Sequence, residues 1–164
     1  MMTHQLYLSL GTNLGDRLAN LLNAITYLPP KVNPVVRSSI YESAPWGYSD
    51  QPAFLNQIIK GATDLEPLDL LAFFKSTEVQ MGRQETFRFG PRLIDLDILF
   101  YDELVLETPT LTIPHPRIAE RAFILVPLAE IAPELIHPVL GKSIQQLKTG
   151  VDLSSVEFYQ TVES

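Results

Sequence analysis

No cysteine occurs anywhere in the chain, which excludes a disulfide framework, a thiolate nucleophile and a zinc–thiolate site. No apolar run approaches the ~18 residues of a membrane-spanning helix. Met1-Met2-Thr3-His4 lacks the basic start of a secretion signal, so a soluble cytoplasmic protein is expected. Positive charge is scarce: 12 Lys and Arg stand against 19 Asp and Glu, giving a net charge of −7 and a pI of about 4.9. That balance disfavours nucleic acid or an anionic membrane as the main partner. Repeats and low-complexity tracts are missing too, and 164 residues suit a single domain spanning 1–164. A chain of that size buries about 70% of its unfolded surface, enough for a core without staples.

Lysine is missing from one stretch. From Arg83 to Arg121 every positive side chain is arginine, namely Arg83, Arg88, Arg92, Arg117 and Arg121. The guanidinium fork grips phosphate oxygens in pairs, whereas lysine acts as a point charge.

Inside that stretch lies RFGPRLIDLDILF, Arg88 to Phe100. Leu93 to Phe100 is apolar except at Asp95 and Asp97 and follows Gly90-Pro91, the pattern of a buried strand. Strand side chains alternate, so both aspartates share one face, with Cα atoms about 6.6 Å apart. Leu96 and Ile98 point the other way, into a core. Carboxylates held that close repel unless a cation or a shared proton lies between them. Oxygen ligands without Cys or His suit a hard ion, Mg2+ above others. The alternative is a solvated strand face; the flanking Leu and Ile count against it.

Gln5 to Leu10 alternates as a first strand, and Gly11-Thr12-Asn13-Leu14-Gly15 is a turn that Asp16 closes as a helix cap. The turn lacks both the P-loop ending and the GxGxxG spacing, so it is read as structural, with Asn13 still able to face a ligand. Leu18, Leu21, Leu22, Ile25 and Leu28 form a helical stripe ended by Pro29-Pro30. Val35 to Ser43 is a second strand. The loop Ser43 to Pro52, with Trp46 and Tyr48, either tucks against the domain or lids a flat ligand. Phe54 to Thr63 is a third strand holding the amide Asn56. A helix from Pro67 shows Leu70, Phe73, Phe74, Thr77 and Met81 on one face and stops at Gly82; on pattern, Glu78 is exposed. Asp102-Glu103 reads as a hairpin turn into Leu104 to Leu106. His115, between two prolines, reads as a packing residue, and Phe123, in a short buried helix from Ala122 to Leu128, as core. A modest helix is expected near Ser143 to Leu147. The order β-α-β-β-α-β predicts an α+β, ferredoxin-like split βαβ sandwich, with a mainly antiparallel sheet and helices packed on it.

RFGPRLIDLDIL resembles the signature of the 6-hydroxymethyl-7,8-dihydropterin pyrophosphokinases of folate biosynthesis. SLGTNLGDR (Ser9 to Arg17), SAPWG and QPAFLNQ (Ser43 to Gly47, Gln51 to Gln57), EVQMGR (Glu78 to Arg83), LTIPHP, and RAFILVPLAEIAPEL (Arg121 to Leu135) extend the likeness in order along nearly the whole chain. The resemblance implies transfer of the β,γ-pyrophosphoryl group of ATP to the pterin hydroxymethyl oxygen, releasing AMP; a monomer is expected. It implies that Asp95 and Asp97 hold two Mg2+ ions, and that Arg83 and Arg92 neutralise phosphate charge. Lys75, Glu78, Ile98, Thr112, His115 and Arg121 match further ATP positions. Phe54 and Phe123 would sandwich the pterin ring, and Asn56 with Ser43, Ala44 and Trp46 would hold its edge. Those roles reverse the pattern readings of Glu78 and Phe123.

This chain departs from the usual pattern at Glu85 and Thr86, where basic residues are common, and at Phe89, where Trp is frequent. Phe54, Trp46 and Lys75 replace Tyr, Leu and Gln; Thr110 and Pro116 replace an Arg and a Tyr of some members. Two rival readings carry separate expectations. Another Mg2+-dependent phosphohydrolase would break down ATP without pterin, and a ferredoxin-like binding module would bind without turnover.

Overall fold

The computed structural model describes residues 3–45, 49–83 and 90–161. Its main sheet is antiparallel throughout. The strands are β1 (His4–Thr12), β2 (Val32–Arg37), β3 (Ile40–Ser43), β4 (Phe54–Thr63), β5 (Asp95–Tyr101) and, from the tail, β8 (Val156–Gln160). Their order is β5-β1-β4-β3-β8, with β2 also paired to β4. The first helix, α1 (Arg17–Thr26), joins β1 to β2, and α2 (Pro67–Gln80) joins β4 to β5, which makes the ferredoxin-like α+β fold. A two-stranded ribbon, β6 (Leu106–Glu107) with β7 (Thr112–Ile113), and the helices α3 (Ala122–Ile131) and α4 (Ile144–Thr149) complete it. Among the described residues no helix is long and apolar enough to cross a membrane.

Strand alternation divides the apolar residues between two cores. Leu6, Leu8 and Leu10 of β1, Leu55 and Ile59 of β4, and Leu96 and Ile98 of β5 pack against Leu21 and Ala24 of α1 and Leu70 and Phe74 of α2. On the opposite face Tyr7, Ile58, Leu99 and Phe100 pack against Ile124, Leu125 and Leu128 of α3 and Ile144 and Leu147 of α4. A register shift between Tyr7 and Leu8 lets Leu99 and Phe100 both join this second core. Glu130 pins α3 down: its carboxylate accepts from the Tyr41 hydroxyl at 2.6 Å and the Ser39 backbone N–H at 2.8 Å.

Several expectations need correction. The second strand is split: Ser38 and Ser39 separate β2 from β3, both of which pair with β4. The Ser38 hydroxyl fills that break, accepting from the Ile58 N–H at 2.9 Å and donating to the Ser39 carbonyl at 2.8 Å. The aspartate strand begins at Asp95 rather than Leu93, since Arg92 is bonded to the β1–α1 turn instead. Asp102 does turn the chain, at φ 49°, but the residues after it pair with β7 and not with β5. In α1 the small Ala24 is buried while Leu22 is 50% exposed. Glu78 is 2% exposed, against its expected place on the helix surface. Asp16 caps α1 as expected, accepting from the Ala19 N–H at 3.1 Å. The strand β8 was not anticipated; its VEFYQ sequence carries a weak alternation, and its residues remain largely exposed.

Ser38→Ala strips the buried Ile58 N–H of its side-chain acceptor. We expect it to lower stability by about 1–3 kcal/mol, read as a lower denaturant midpoint at unchanged slope.

Candidate active site

The α3–α4 layer covers only part of its sheet face, and the rest is left open. Register fixes what is exposed there: Asp97 lies opposite Ser9 and Asp95 opposite Gly11, while Gly11 also faces Asn56 and Phe54 faces Ser43. Serine and glycine contribute almost no side-chain volume, so the centre of this row stays hollow. A methyl group placed on Gly11 would sit 3.7 Å from Asn56 Oδ1 and 3.8 Å from the Phe54 ring, inside the hollow. The resulting cavity is about 260 Å3. Asp95, Asp97, Arg92, His115 and Arg121 line it together with Ser43, Ala44, Phe54, Asn56 and Phe123. It thus gathers carboxylates and arginines with two aromatic rings and an amide.

The two aspartates are not equivalent. Burial and then the charge of Asp95 push the Asp97 carboxyl up to about 8, against the pull of Lys75 and Arg121. Asp95 accepts from Arg83 Nη1 at 3.2 Å, and the same nitrogen lies 2.5 Å from Glu78 Oε1. The other Glu78 oxygen accepts from the Leu96 N–H at 2.8 Å, in the strand segment between the aspartates. Burial pushes the Glu78 carboxyl up, and the Leu96 N–H draws it back down. Glu78 therefore stands behind the cavity wall, fixing both the strand edge and Arg83.

His115 is held by its backbone N–H on the Leu99 carbonyl at 3.0 Å. Its Nδ1 accepts from the Arg117 N–H at 3.2 Å, which assigns the ring proton to Nε2. Burial and the neighbouring Arg121 lower its pKa to about 4, so at neutral pH it is an uncharged donor. The Arg121 guanidinium lies 5.4 Å from the centre of the Phe123 ring. Asn56 donates to the Ser43 hydroxyl at 2.8 Å, which orients its amide in the cavity wall. Arg92 Nη1 donates to the Gly90 carbonyl at 2.8 Å.

The other expected residues stand outside the lining. Lys75 is exposed, 3.7 Å from Glu78 Oε1; Arg83 bonds to Asp95 and Glu78; Ile98 points into the α1–α2 core; Thr112 is half-buried in β7. Trp46, Tyr48, Glu85, Thr86, Arg88 and Phe89 lie outside the described residues. Ser9, Gly11 and Ile124 line the cavity without having been singled out. The signal for the first two was present: small residues at alternate positions of a strand whose other face is all leucine. Among the described residues no three carboxylate or imidazole groups cluster as a ready metal cage. The aspartate pair nonetheless fits a hard cation, because its oxygens share one face and one of them resists ionisation beside the other.

A family model described as 7,8-dihydro-6-hydroxymethylpterin-pyrophosphokinase (HPPK) matches residues 7–133. The chain is 43% identical to the 2-amino-4-hydroxy-6-hydroxymethyldihydropteridine pyrophosphokinase of Aquifex aeolicus, over 87% of this chain and 89% of that protein. It is 41% identical to the protein of the same name from Methylorubrum extorquens, over 92% and 96%. With the Folic acid synthesis protein FOL1 of Dictyostelium discoideum it shares 47% identity over 87% of its own length, but spans only 22% of that longer protein. Among solved structures, an HPPK-DHPS in complex with substrates superposes with a TM-score of 0.76 at 16% identity, over 96% of this chain and 47% of that one. The Plasmodium falciparum HPPK-DHPS with pteroate gives a TM-score of 0.73 at 19% identity, over 91% and 42%. These two likenesses bear on the fold alone.

Because the folded state of the cation-free protein raises the Asp97 pKa from 3.8 to about 8, it holds a proton there that the unfolded chain has lost. Stability from this group therefore falls as pH rises from about 4 to about 8. Asp97→Asn removes that penalty. We expect it to stabilise the cation-free protein by on the order of 1–3 kcal/mol at pH 8, with the gain shrinking toward pH 5 in thermal melts. An unchanged or lowered melting temperature at pH 8 would refute the assignment of an ionisation penalty to the buried Asp97.

Proposed function

The chain belongs to the 7,8-dihydro-6-hydroxymethylpterin-pyrophosphokinase family, and we propose that it transfers pyrophosphate from ATP to the hydroxymethyl group of 6-hydroxymethyl-7,8-dihydropterin, a step of folate biosynthesis. The observation that carries this reading is the division of one cavity into two chemistries. One side presents Asp95, Asp97, Arg92, His115 and Arg121; the other presents Phe54, Phe123, Asn56 and Ser43. A polyphosphate suits the first and a flat heterocycle with polar edges suits the second.

In the reaction the pterin hydroxymethyl oxygen bonds to the β-phosphorus of ATP as the bond from that phosphorus to the bridging oxygen of AMP breaks, and the hydroxyl proton passes to solvent. Such transfers need in-line placement and charge neutralisation more than covalent help. Phe54 and Phe123 hold the ring, each good aromatic contact adding about 0.5–1.5 kcal/mol beyond area burial. Asn56, oriented by Ser43, reads the ring edge, and Ala44 shapes the wall beside it. Arg92 and Arg121 carry charge to the phosphates, while neutral His115 offers its Nε2 proton as a hydrogen bond. Glu78 keeps Arg83 on Asp95. Lys75 adds a further cation for the nucleotide, and Ile98 and Thr112 support that side. Asp95 and Asp97 would hold two Mg2+, which when bound draw electron density from the phosphate oxygens and acidify the hydroxyl. The acidic, cysteine-free composition supports a cytoplasmic location.

Chromatography of nucleotides after mixing protein, Mg-ATP and the pterin tests the reaction. AMP should appear in step with the pterin diphosphate and only when pterin is present; ADP, or AMP without pterin, would overturn the reading. Asp97→Ala should leave a folded protein with turnover down on the order of 10²-fold or more.

A further inference from the structure

The tail strand β8 takes part in none of the roles above. It adds nothing buried to either core: Phe158 and Tyr159 are 59% and 44% exposed, and no residue of the strand is fully covered. Its contacts nevertheless converge on the aromatic half of the cavity. It pairs antiparallel with β3, which sets Val156 opposite Ser43, and the Ala44 N–H donates to the Ser155 carbonyl at 3.1 Å. Ser43 and Ala44 both line the cavity, and the Ser43 hydroxyl is the group that orients Asn56. The strand thus closes the outer edge of the ladder that carries this wall.

Each ring of β8 meets a side chain that has a further partner. On one face Phe158 stands edge-on to Tyr41, with ring centres 6.0 Å apart, and the Tyr41 hydroxyl is the one that holds Glu130 of α3. On the other face the Arg17 guanidinium lies 5.7 Å from the centre of the Tyr159 ring. Arg17 Nη1 also donates to Glu42 Oε2 at 2.7 Å and to the Ala53 carbonyl at 3.0 Å, and Ala53 leads directly into Phe54. Docking of β8 sets Glu157 opposite Glu42, a like-charge pair that opposes it. Arg17 offsets that repulsion. The cation that makes the tail strand tolerable is therefore the one that grips the backbone before Phe54.

Resting on the pyrophosphokinase reading, we propose that Tyr159 is a positioning residue for the heterocycle: docked β8 holds its ring against Arg17, and the held guanidinium fixes the Ala53 carbonyl and with it the Phe54 wall. An edge strand with half-exposed rings opens at low free-energy cost. A heterocycle seated against Phe54 and Ser43 favours the docked strand, and the docked strand favours the heterocycle by the same factor. Asp95 and Asp97 stand on β5, at the opposite edge of the sheet from β8. Docking of the tail strand therefore leaves the affinity for the nucleotide unchanged.

Calorimetry of 6-hydroxymethyl-7,8-dihydropterin, with a non-hydrolysable Mg-ATP analogue present throughout, reads the effect. Tyr159→Ala should weaken pterin binding about 2–5-fold, the size of an exposed cation–π contact, and leave the Kd of the analogue itself unchanged. Tyr159→Phe keeps the ring and should bind as the wild type does. In an Arg17→Ala background Tyr159→Ala should add no further loss, because the two residues act in series. Hydrogen exchange gives an independent readout: pterin added to the analogue complex should slow exchange across Val156–Gln160, where the analogue alone does not. Wild-type affinity in folded Tyr159→Ala overturns the proposal. An equal loss for both ligands also overturns it, since that marks a merely structural role, and so does a further loss in the Arg17→Ala background. Should Tyr159→Ala fail to fold, unslowed exchange across Val156–Gln160 in the wild-type pterin complex overturns it. Wild-type protein that binds neither compound overturns the pyrophosphokinase reading itself.

Discussion

Like charge on one strand face is the constraint around which this structure is arranged. Asp95 and Asp97 lie two residues apart on an edge strand, and burial together with the charge of Asp95 makes ionisation of Asp97 costly. A chain optimised for stability alone would place an apolar residue at one of these positions. Here the surroundings contain the repulsion instead: Arg83 balances Asp95, and Glu78 holds both Arg83 and the intervening Leu96 N–H. Glu78 is itself a buried carboxylate, kept tolerable by those same donors. Removing either partner from such a network leaves the other charge unmatched, so the network works only as a whole.

The same face stays uncovered around the carboxylates because side-chain size varies along the strands of the sheet. Tyr7, Ile58, Leu99 and Phe100 are bulky and take the α3–α4 layer. Two or four positions away along the same strands, Ser9, Gly11 and Asn56 are small or polar and leave a hollow. Phe123 stands in the first turn of α3, where the covered part of the face gives way to the open part. Glu130, anchored to Tyr41 and Ser39 near the other end of α3, holds the helix in place. Packing thus sets the position of an aromatic wall whose own ring borders the cavity.

Much of this was legible in the residues. The period-2 pattern of β1, β4 and the aspartate strand identified the ferredoxin-like order, and alternation alone placed Asp95 and Asp97 on one face with Leu96 and Ile98 opposite. What periodicity could not show was tertiary. Glu78 looks like a surface residue of α2 because helical spacing cannot reveal that an edge-strand N–H and an arginine are waiting for it. His115 and Phe123 carry no pattern that separates packing from lining; their place depends on where α3 docks. The break at Ser38 and the strand β8 depend on pairing partners distant in sequence, which local patterns do not encode.

Among the described residues of the cavity lining, Arg92 and Arg121 stand against Asp95 and Asp97; with the Asp97 carboxyl pushed up to about 8 and the burial-lowered His115 uncharged, the excess before any ligand arrives is small and positive. A free polyphosphate would meet no large positive excess there, whereas a polyphosphate accompanied by divalent cations is itself nearly neutral and disturbs the balance least. The raised Asp97 pKa points the same way, since a carboxylate that resists ionisation beside its neighbour is released from that penalty when cations approach. Metal and anion are then favoured together more than either is separately. In a chain of net charge −7, that mutual dependence, rather than a general attraction for anions, is what we propose would select a metal-bound polyphosphate.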